Sequence, residues 1–215
     1  MQRFFAALRA LFAALLLATL GAASTAAPAA AQGVALTLDE EFLLQEISRY
    51  NTELRSAAGR FLQIDPAGNR TEGTFFLQRP DNVRFRYAPP SREEIVSNGR
   101  GFYVVNREER TQYAYAQDQV PLRQFLGDQV NLAQSNLTDV VVSETHVAVT
   151  LADDSPVGVV QVTLIFDRNT YDLVQWSLIE PSGAETTFQI FDLEKNVEIP
   201  ASYFRIDPTY SSVQR

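Results

Sequence analysis

Two short runs that meet at Arg79-Pro80 constrain this chain more than any other part of it. From Gly73 to Tyr87 apolar and polar residues alternate with the period of a strand. Gly73, Phe75, Leu77 and Arg79 therefore share one face of the first run, and Val83, Phe85 and Tyr87 one face of the second. The result is an aromatic wall with one cation at its rim. A wall of this kind suits a ligand with long apolar surface and little chemistry, an acyl chain for instance, better than a polar metabolite.

The N-terminus is of another kind. Met1-Gln2-Arg3 and Arg9 are basic, residues 10–23 are apolar apart from Thr19 and Gly21, and Ala29-Ala30-Ala31 supplies small residues at a cleavage point. This layout predicts a secretory signal peptide over residues 1–31, cleaved near Ala31. An apolar run of about 14 residues falls short of the ~20 that span a bilayer. Residues 32–215 are then expected to form one domain with a single core, monomeric and exported. No cysteine occurs, which excludes disulfides, thiolate metal sites, cysteine nucleophiles and a lipid carried on an N-terminal cysteine. The net charge of −8 becomes −10 once the two leader arginines are removed. Such a surface repels phosphate backbones and anionic headgroups, so neither nucleic-acid binding nor permanent membrane residence is expected.

Along the chain, Thr37 and Glu40 are spaced as a capping box, and Leu43, Ile47, Tyr50 and Leu54 place one apolar stripe on a helix from Leu38 to about Ala58. A helix with a single stripe must lie against something larger. The period then changes to two. Strands are predicted over 60–64, 70–79, 83–88, 95–96, 102–105 and 110–116, and again from about Val140, Val147, Val157, Asp172 and Thr186. Asp65-Pro66-Ala67-Gly68-Asn69, Asn98-Gly99, Asp153-Asp154-Ser155-Pro156 and Pro181-Ser182-Gly183 read as turns, and Pro121 opens a short helix in which Leu122, Phe125 and Leu126 share a face. The sum is a mainly antiparallel sheet with a helical cover.

Several features in combination resemble the LolA family of periplasmic lipoprotein carriers. They are Gly59-Arg60-Phe61-Leu62-Gln63 after a helix, the strand from Gly73 into Arg79-Pro80, Val83-Arg84-Phe85-Arg86-Tyr87 before prolines, and Ser97-Asn98-Gly99 before an aromatic strand with Tyr103. Trp176-Ser177, Glu180-Pro181-Ser182-Gly183, Thr186-Thr187, Asn196, and Phe204 ahead of Pro208 add to these. The resemblance covers essentially all of residues 32–215. It implies a mainly β (α+β) fold, an unclosed antiparallel half-barrel whose concave apolar face is roofed by a helical lid. It also implies a chaperone without cofactor or metal that takes acylated lipoproteins from an inner-membrane ABC transporter and passes them to an outer-membrane receptor. In the family, the arginine of the Arg-Pro step helps to hold the lid shut; here that residue is Arg79. Glu180 departs from the aspartate common at the Asp-Pro-x-Gly turn. The related receptor LolB is anchored through a cysteine, which this chain lacks.

If Arg79 faces the lid, then Gly73, Phe75 and Leu77 face inward with it, and Phe76 and Gln78 face out. Phe61, Val83, Phe85, Tyr87 and Ile95 join the expected lining of a lipid cavity, as do Trp176, Leu178 and Phe188. Leu43, Ile47 and Tyr50 lie beneath the helix. A tightly filled sandwich around Phe75, Phe85 and Trp176 would argue against transport. Other chemistry is thinly represented. His146 is the only histidine, so a secreted hydrolase with a Ser-His-Asp triad would have to use it, and no nucleophile elbow surrounds it. Asp39-Glu40-Glu41 at a helix start, and Glu93-Glu94 and Asp153-Asp154 in apparent turns, are expected to be solvated. Arg84 and Arg86 are expected in solvent, or with Arg79 in a basic patch that meets an acidic partner. A lipoprotein-sensing regulator of the same fold is a third alternative.

Overall fold

The structure, a computed structural model, describes residues 34–116, 120–121, 123–134, 136–155 and 158–213; the expected leader lies outside them. Helix α1 spans Leu38–Glu53, and its capping box is complete: the Thr37 hydroxyl accepts from the Glu40 amide and the Glu40 carboxylate accepts from the Thr37 amide. Strands β1 (Ser56–Ile64), β2 (Arg70–Gln78), β3 (Asn82–Tyr87), β4 (Glu93–Asn98), β5 (Phe102–Asn106) and β6 (Thr111–Tyr115) follow as a meander. After the one-turn helix α2 (Arg123–Leu126) come β7 (Leu137–Val142), β8 (His146–Ser155), β9 (Gly158–Asp167), β10 (Leu173–Ile179) and β11 (Glu185–Lys195). A 3-10 turn (Ala201–Phe204) and the two-residue β12 (Ser211–Ser212) complete the described chain.

All twelve strands form one open sheet in the order β12-β6-β5-β4-β3-β2-β1-β11-β10-β9-β8-β7. Every pairing is antiparallel except β12 with β6. The sheet is not closed into a barrel, and β11 joins the two meanders by pairing with β1. Burial alternates along β8 and β9, so that Val147, Val149, Leu151, Val160, Val162, Leu164 and Phe166 point to one side. This inner face receives Leu43, Leu44 and Ile47 of α1.

The helix ends at Glu53 rather than near Ala58, and β1 begins at Ser56 rather than Arg60. Residues 56–59 pair with Gln78 to Phe75 of β2, and Ala57 and Ala58 also pair with β11. Ladder bonds on both sides override the helical preference of two alanines. Glu93-Glu94 and Asp153-Asp154 lie inside β4 and β8, not in turns. The short helix begins at Arg123, and Leu122 lies outside the described residues. No local pattern announced the last stretch: residues 196–213 leave β11, cross the outer face over β3 and β4, and reach the far edge as β12. Phe76, on the outer face as its parity requires, meets Tyr203 of this strap edge-on with ring centroids 4.9 Å apart.

Candidate functional site: an aromatic inner face under a fastened cover

Cross-strand register assembles the aromatic wall. Phe75, Phe85, Ile95 and Val104 stand opposite one another across β2 to β5, and Ala57, Leu77 and Val83 form the adjoining row. Phe61 meets Phe85 and Tyr87 edge-on at 5.3 and 5.1 Å. Phe75 stacks on Phe85 at 6.0 Å, Phe85 meets Trp176 at 5.7 Å, and Trp176 lies flat on Phe188 at 4.6 Å. Such pairs each add about 0.5–1.5 kcal/mol beyond burial. The rings therefore touch, but they line one sheet rather than the interface of two. Phe61, Phe75 and Phe188 are buried, whereas Phe85 and Trp176 at the centre keep partial exposure. Tyr87, buried, donates to the Gln63 side-chain oxygen, and burial pushes its phenol well above the ordinary range.

The residues expected to line one cavity fall into two apolar clusters. Phe61, Phe75, Leu77, Val83, Tyr87, Ile95 and Phe188, with Phe85 packed on them, make the aromatic one. Leu43 and Ile47 instead pack with the valines and leucines of β7 to β9, joined by Leu178. Trp176 touches both clusters. Tyr50 belongs to neither: its hydroxyl donates to Asp172 and accepts from Lys195 Nζ at 2.9 Å. A phenol oxygen beside a carboxylate and an ammonium is held at the rim, not in the apolar floor.

The segment 125–132, gripped by the β2–β3 turn, bridges the two clusters: Leu126 packs on the aromatic one, and Phe125, Val130 and Leu132 on the aliphatic one. Arg79, 5% exposed, donates from Nη1 to the carbonyl of Phe125 and, at 3.1 Å, to that of Gly127. Its guanidinium carbon sits 5.0 Å from the Phe125 ring centroid. The amide of Asp81 donates to the Leu126 carbonyl at 2.8 Å, and Arg55 pairs with Asp128 at 2.8 Å. Nε and Nη2 of Arg79 are buried without a hydrogen-bond partner. Burial, and then the like charge of Arg55, pulls the Arg79 guanidinium down to about 10. The same segment is sewn to α1: Ser48 Oγ accepts from the Leu132 amide at 3.1 Å and Thr52 Oγ1 from the Val130 amide at 2.9 Å. The sequence reading missed Ser48, Thr52, Arg55 and Asp81. A visible signal was the i, i+4 spacing of Ser48 and Thr52 on one helix face.

His146 is exposed at the start of β8, on the face opposite the aromatic cluster, with Thr145 Oγ1 2.8 Å from its Nδ1. Among the described residues no cluster of His, Cys, Asp and Glu could hold a metal ion, and no helix is long and apolar enough to cross a membrane.

The described residues thus form an open, one-layer antiparallel sheet whose apolar face is partly covered by α1 and the segment 125–132. Residues 52–207 match the model of the family described as outer membrane lipoprotein carrier protein LolA, and the chain belongs to that family. An outer-membrane lipoprotein carrier protein from Alkalilimnicola ehrlichii is 29% identical over 177 residues, covering 76% of this chain and 78% of that one. A crystal structure of an uncharacterized conserved protein from Thermus thermophilus superposes with a TM-score of 0.48 at 10% identity, over 82% of this chain and 99% of that one. A LolA superfamily protein from Nitrosomonas europaea gives 0.40 at 10% identity, over 75% and 97%. Structural likeness at that level bears on neither substrate nor partner. As a member of a carrier family, the protein is a lipoprotein-binding carrier and not an enzyme.

Proposed function

We propose that the protein is a periplasmic chaperone, exported by its leader, that shields the acyl chains of lipoproteins leaving the inner membrane and delivers them to the outer membrane. In this reading it loads from an inner-membrane ABC transporter and unloads to an outer-membrane receptor. The observation that carries the reading is the aromatic inner face, on which Leu126 packs from a segment held by Arg79.

Burying a methylene is worth about 0.8 kcal/mol, so an ordinary acyl chain gains on the order of 10 kcal/mol on entering an apolar cleft. Hydrogen bonds from a charged donor are worth about 1.5–3 kcal/mol each. The desolvation that lowers the Arg79 pKa offsets part of that. Incoming lipid can therefore part the rings at Phe85 and Trp176 and raise the cover, and the cover can close again once lipid leaves. Arg79 is the latch, and the aromatic cluster is the surface that receives the chain.

The test is to mix the purified protein with a fatty-acylated lipoprotein as detergent is withdrawn, and to examine the soluble fraction by native mass spectrometry. A stoichiometric complex is expected with the acylated form and none with its deacylated counterpart. Equal binding of both, or none of either, would remove the reading.

A further inference from the structure

Outside the lipid site the molecule carries a second built feature. Glu94 lies on the outer face of β4 with no exposure, and three arginines converge on its carboxylate. Arg84 pairs with Oε2, while Arg86 Nε and Arg107 Nε each stand 3.1 Å from Oε1. One carboxylate thus faces three guanidinium groups, an excess of two positive charges, with Arg92 exposed alongside.

One arginine balances the charge of a single buried carboxylate, and each further one, though drawn to the same oxygens, also repels its fellows. Two of the three have further local bonds. Arg84 donates to the carbonyls of Tyr203 and Arg205 in the strap, and Arg107 to those of Arg92 and Tyr87. Arg86 has only Glu94 among the described residues, and 55% of its side chain is open to solvent. Burial, then the charges of Arg86, Arg92 and Arg84, holds Arg107 below its ordinary value despite Glu94. The cluster is a fixed cationic surface short of counter-charge. A separate depression of about 580 Å³ beside the strap has Arg100, Arg205 and Asp207 in its lining.

Its surroundings show which anion suits it. Residues 70–115, strands β2 to β6, carry eight arginines against six acids, whereas residues 137–195, strands β7 to β11, carry ten acids against two bases. The sheet is thus polarised, cationic at one end of an acidic molecule. A planar anionic bilayer that met the arginines would also meet the repelling half. A narrow acidic segment of polypeptide would not. We propose that the outer face around Arg84, Arg86 and Arg107 is a docking site for an acidic segment of a protein partner, separate from the lipid site and compatible with a loaded or an empty carrier.

The test uses the full exported chain with its arginine side chains labelled with 15N, and an unacylated ten-residue glutamate-rich peptide as probe at low salt. Binding is expected to shift the Nε–H signals of Arg84, Arg86 and Arg107 and not that of Arg168 on the acidic half. Arg86→Glu is expected to weaken binding by about tenfold, and Arg86→Gln by less. No binding, equal shifts at all arginines, or unchanged binding by Arg86→Glu would overturn the proposal. So would phosphatidylglycerol vesicles that shift the same signals more strongly than the peptide does. The probe carries no acyl chain, so these outcomes stand apart from those of the lipoprotein assay.

Discussion

The ring of Phe61 occupies the space that a side chain on Gly73 would need. The two residues are directly paired across β1 and β2, and a Cβ on Gly73 would fall 2.5 Å from the ring and 2.3 Å from the carbonyl oxygen of Arg86. The missing side chain lets Phe61 lie over the backbone of β2, where it meets Phe85 and Tyr87. Gly73→Ala is therefore expected to destabilise the protein by about 2 kcal/mol or more, because the backbone carbonyl cannot rotate away as a flexible side chain would. Urea unfolding checks this; a wild-type midpoint would mean that the ring does not sit there.

Trp176 is the only tryptophan, and it lies on Phe188 with 7° between the ring planes. Its fluorescence therefore reports on the aromatic cluster and on the edge of the aliphatic one that it also touches. Addition of a long-chain fatty acid is expected to shift its emission as the stack is parted, and Phe188→Ala is expected to cost about 3–5 kcal/mol and to abolish that shift. An emission spectrum indifferent to fatty acid would place the ligand elsewhere.

Arg79→Leu separates latch from scaffold. It removes the donors to the Phe125 and Gly127 carbonyls, but it also removes a buried charge with two unpaired nitrogens. These effects oppose each other, so the melting midpoint is expected to move by only a few degrees. Cargo transfer is expected to change far more, since the cover no longer returns to one closed position. A transfer assay from loaded carrier to outer-membrane vesicles measures it, and delivery at the normal rate would rule out the latch.

The inner face was legible because alternation is a local property. Phe75, Leu77, Val83 and Tyr87 are buried on one side as period two requires, and the capping box at Thr37 fixed the start of α1. Parity also placed Arg84 and Arg86 on the outer face, whereas Glu94 read as a turn residue and lies instead in β4 beside them. Alternation could not show that three arginines would converge on Glu94, one of them tied to a strap more than a hundred positions later, and leave that carboxylate buried rather than solvated. Long-range covering also explains Tyr50, which helical spacing put beneath α1 and the Asp172–Lys195 pair drew to the rim. The division of the lining into two clusters follows from where α1 rests on a twelve-stranded sheet, a matter of tertiary packing that no window of sequence contains.

Glu94→Ala is expected to be among the costliest outer-face substitutions. It leaves Arg84, Arg86 and Arg107 crowded without their shared carboxylate, and loss of one partner from a buried ion pair costs about 3–5 kcal/mol. Because Arg84 also holds the strap, amides of residues 201–205 are expected to exchange faster with solvent in the variant. Unchanged exchange there would show that the strap is held by its apolar contacts alone.

The capping box gives α1 an acid response of known sign. Glu40 is held below its ordinary value chiefly by accepting the Thr37 amide and then the Thr37 hydroxyl. A carboxyl with a depressed folded-state pKa favours the folded helix start above its unfolded value and loses that contribution as pH falls through the lowered one. Below about pH 4 the first turn of α1 is therefore expected to fray, seen as faster hydrogen exchange at the amides of residues 38–41. Thr37→Ala removes the hydroxyl that caps the Glu40 amide and donates to its carboxylate, so it is expected to lower the melting midpoint by roughly 2–4 °C at neutral pH. It is also expected to flatten the acid response, because the backbone amide at position 37 is then no longer aimed at Glu40 by a reciprocal bond. If Thr37→Ala frays with the same pH dependence as the natural chain, the acid sensitivity belongs to another carboxylate and the capping box is not its source.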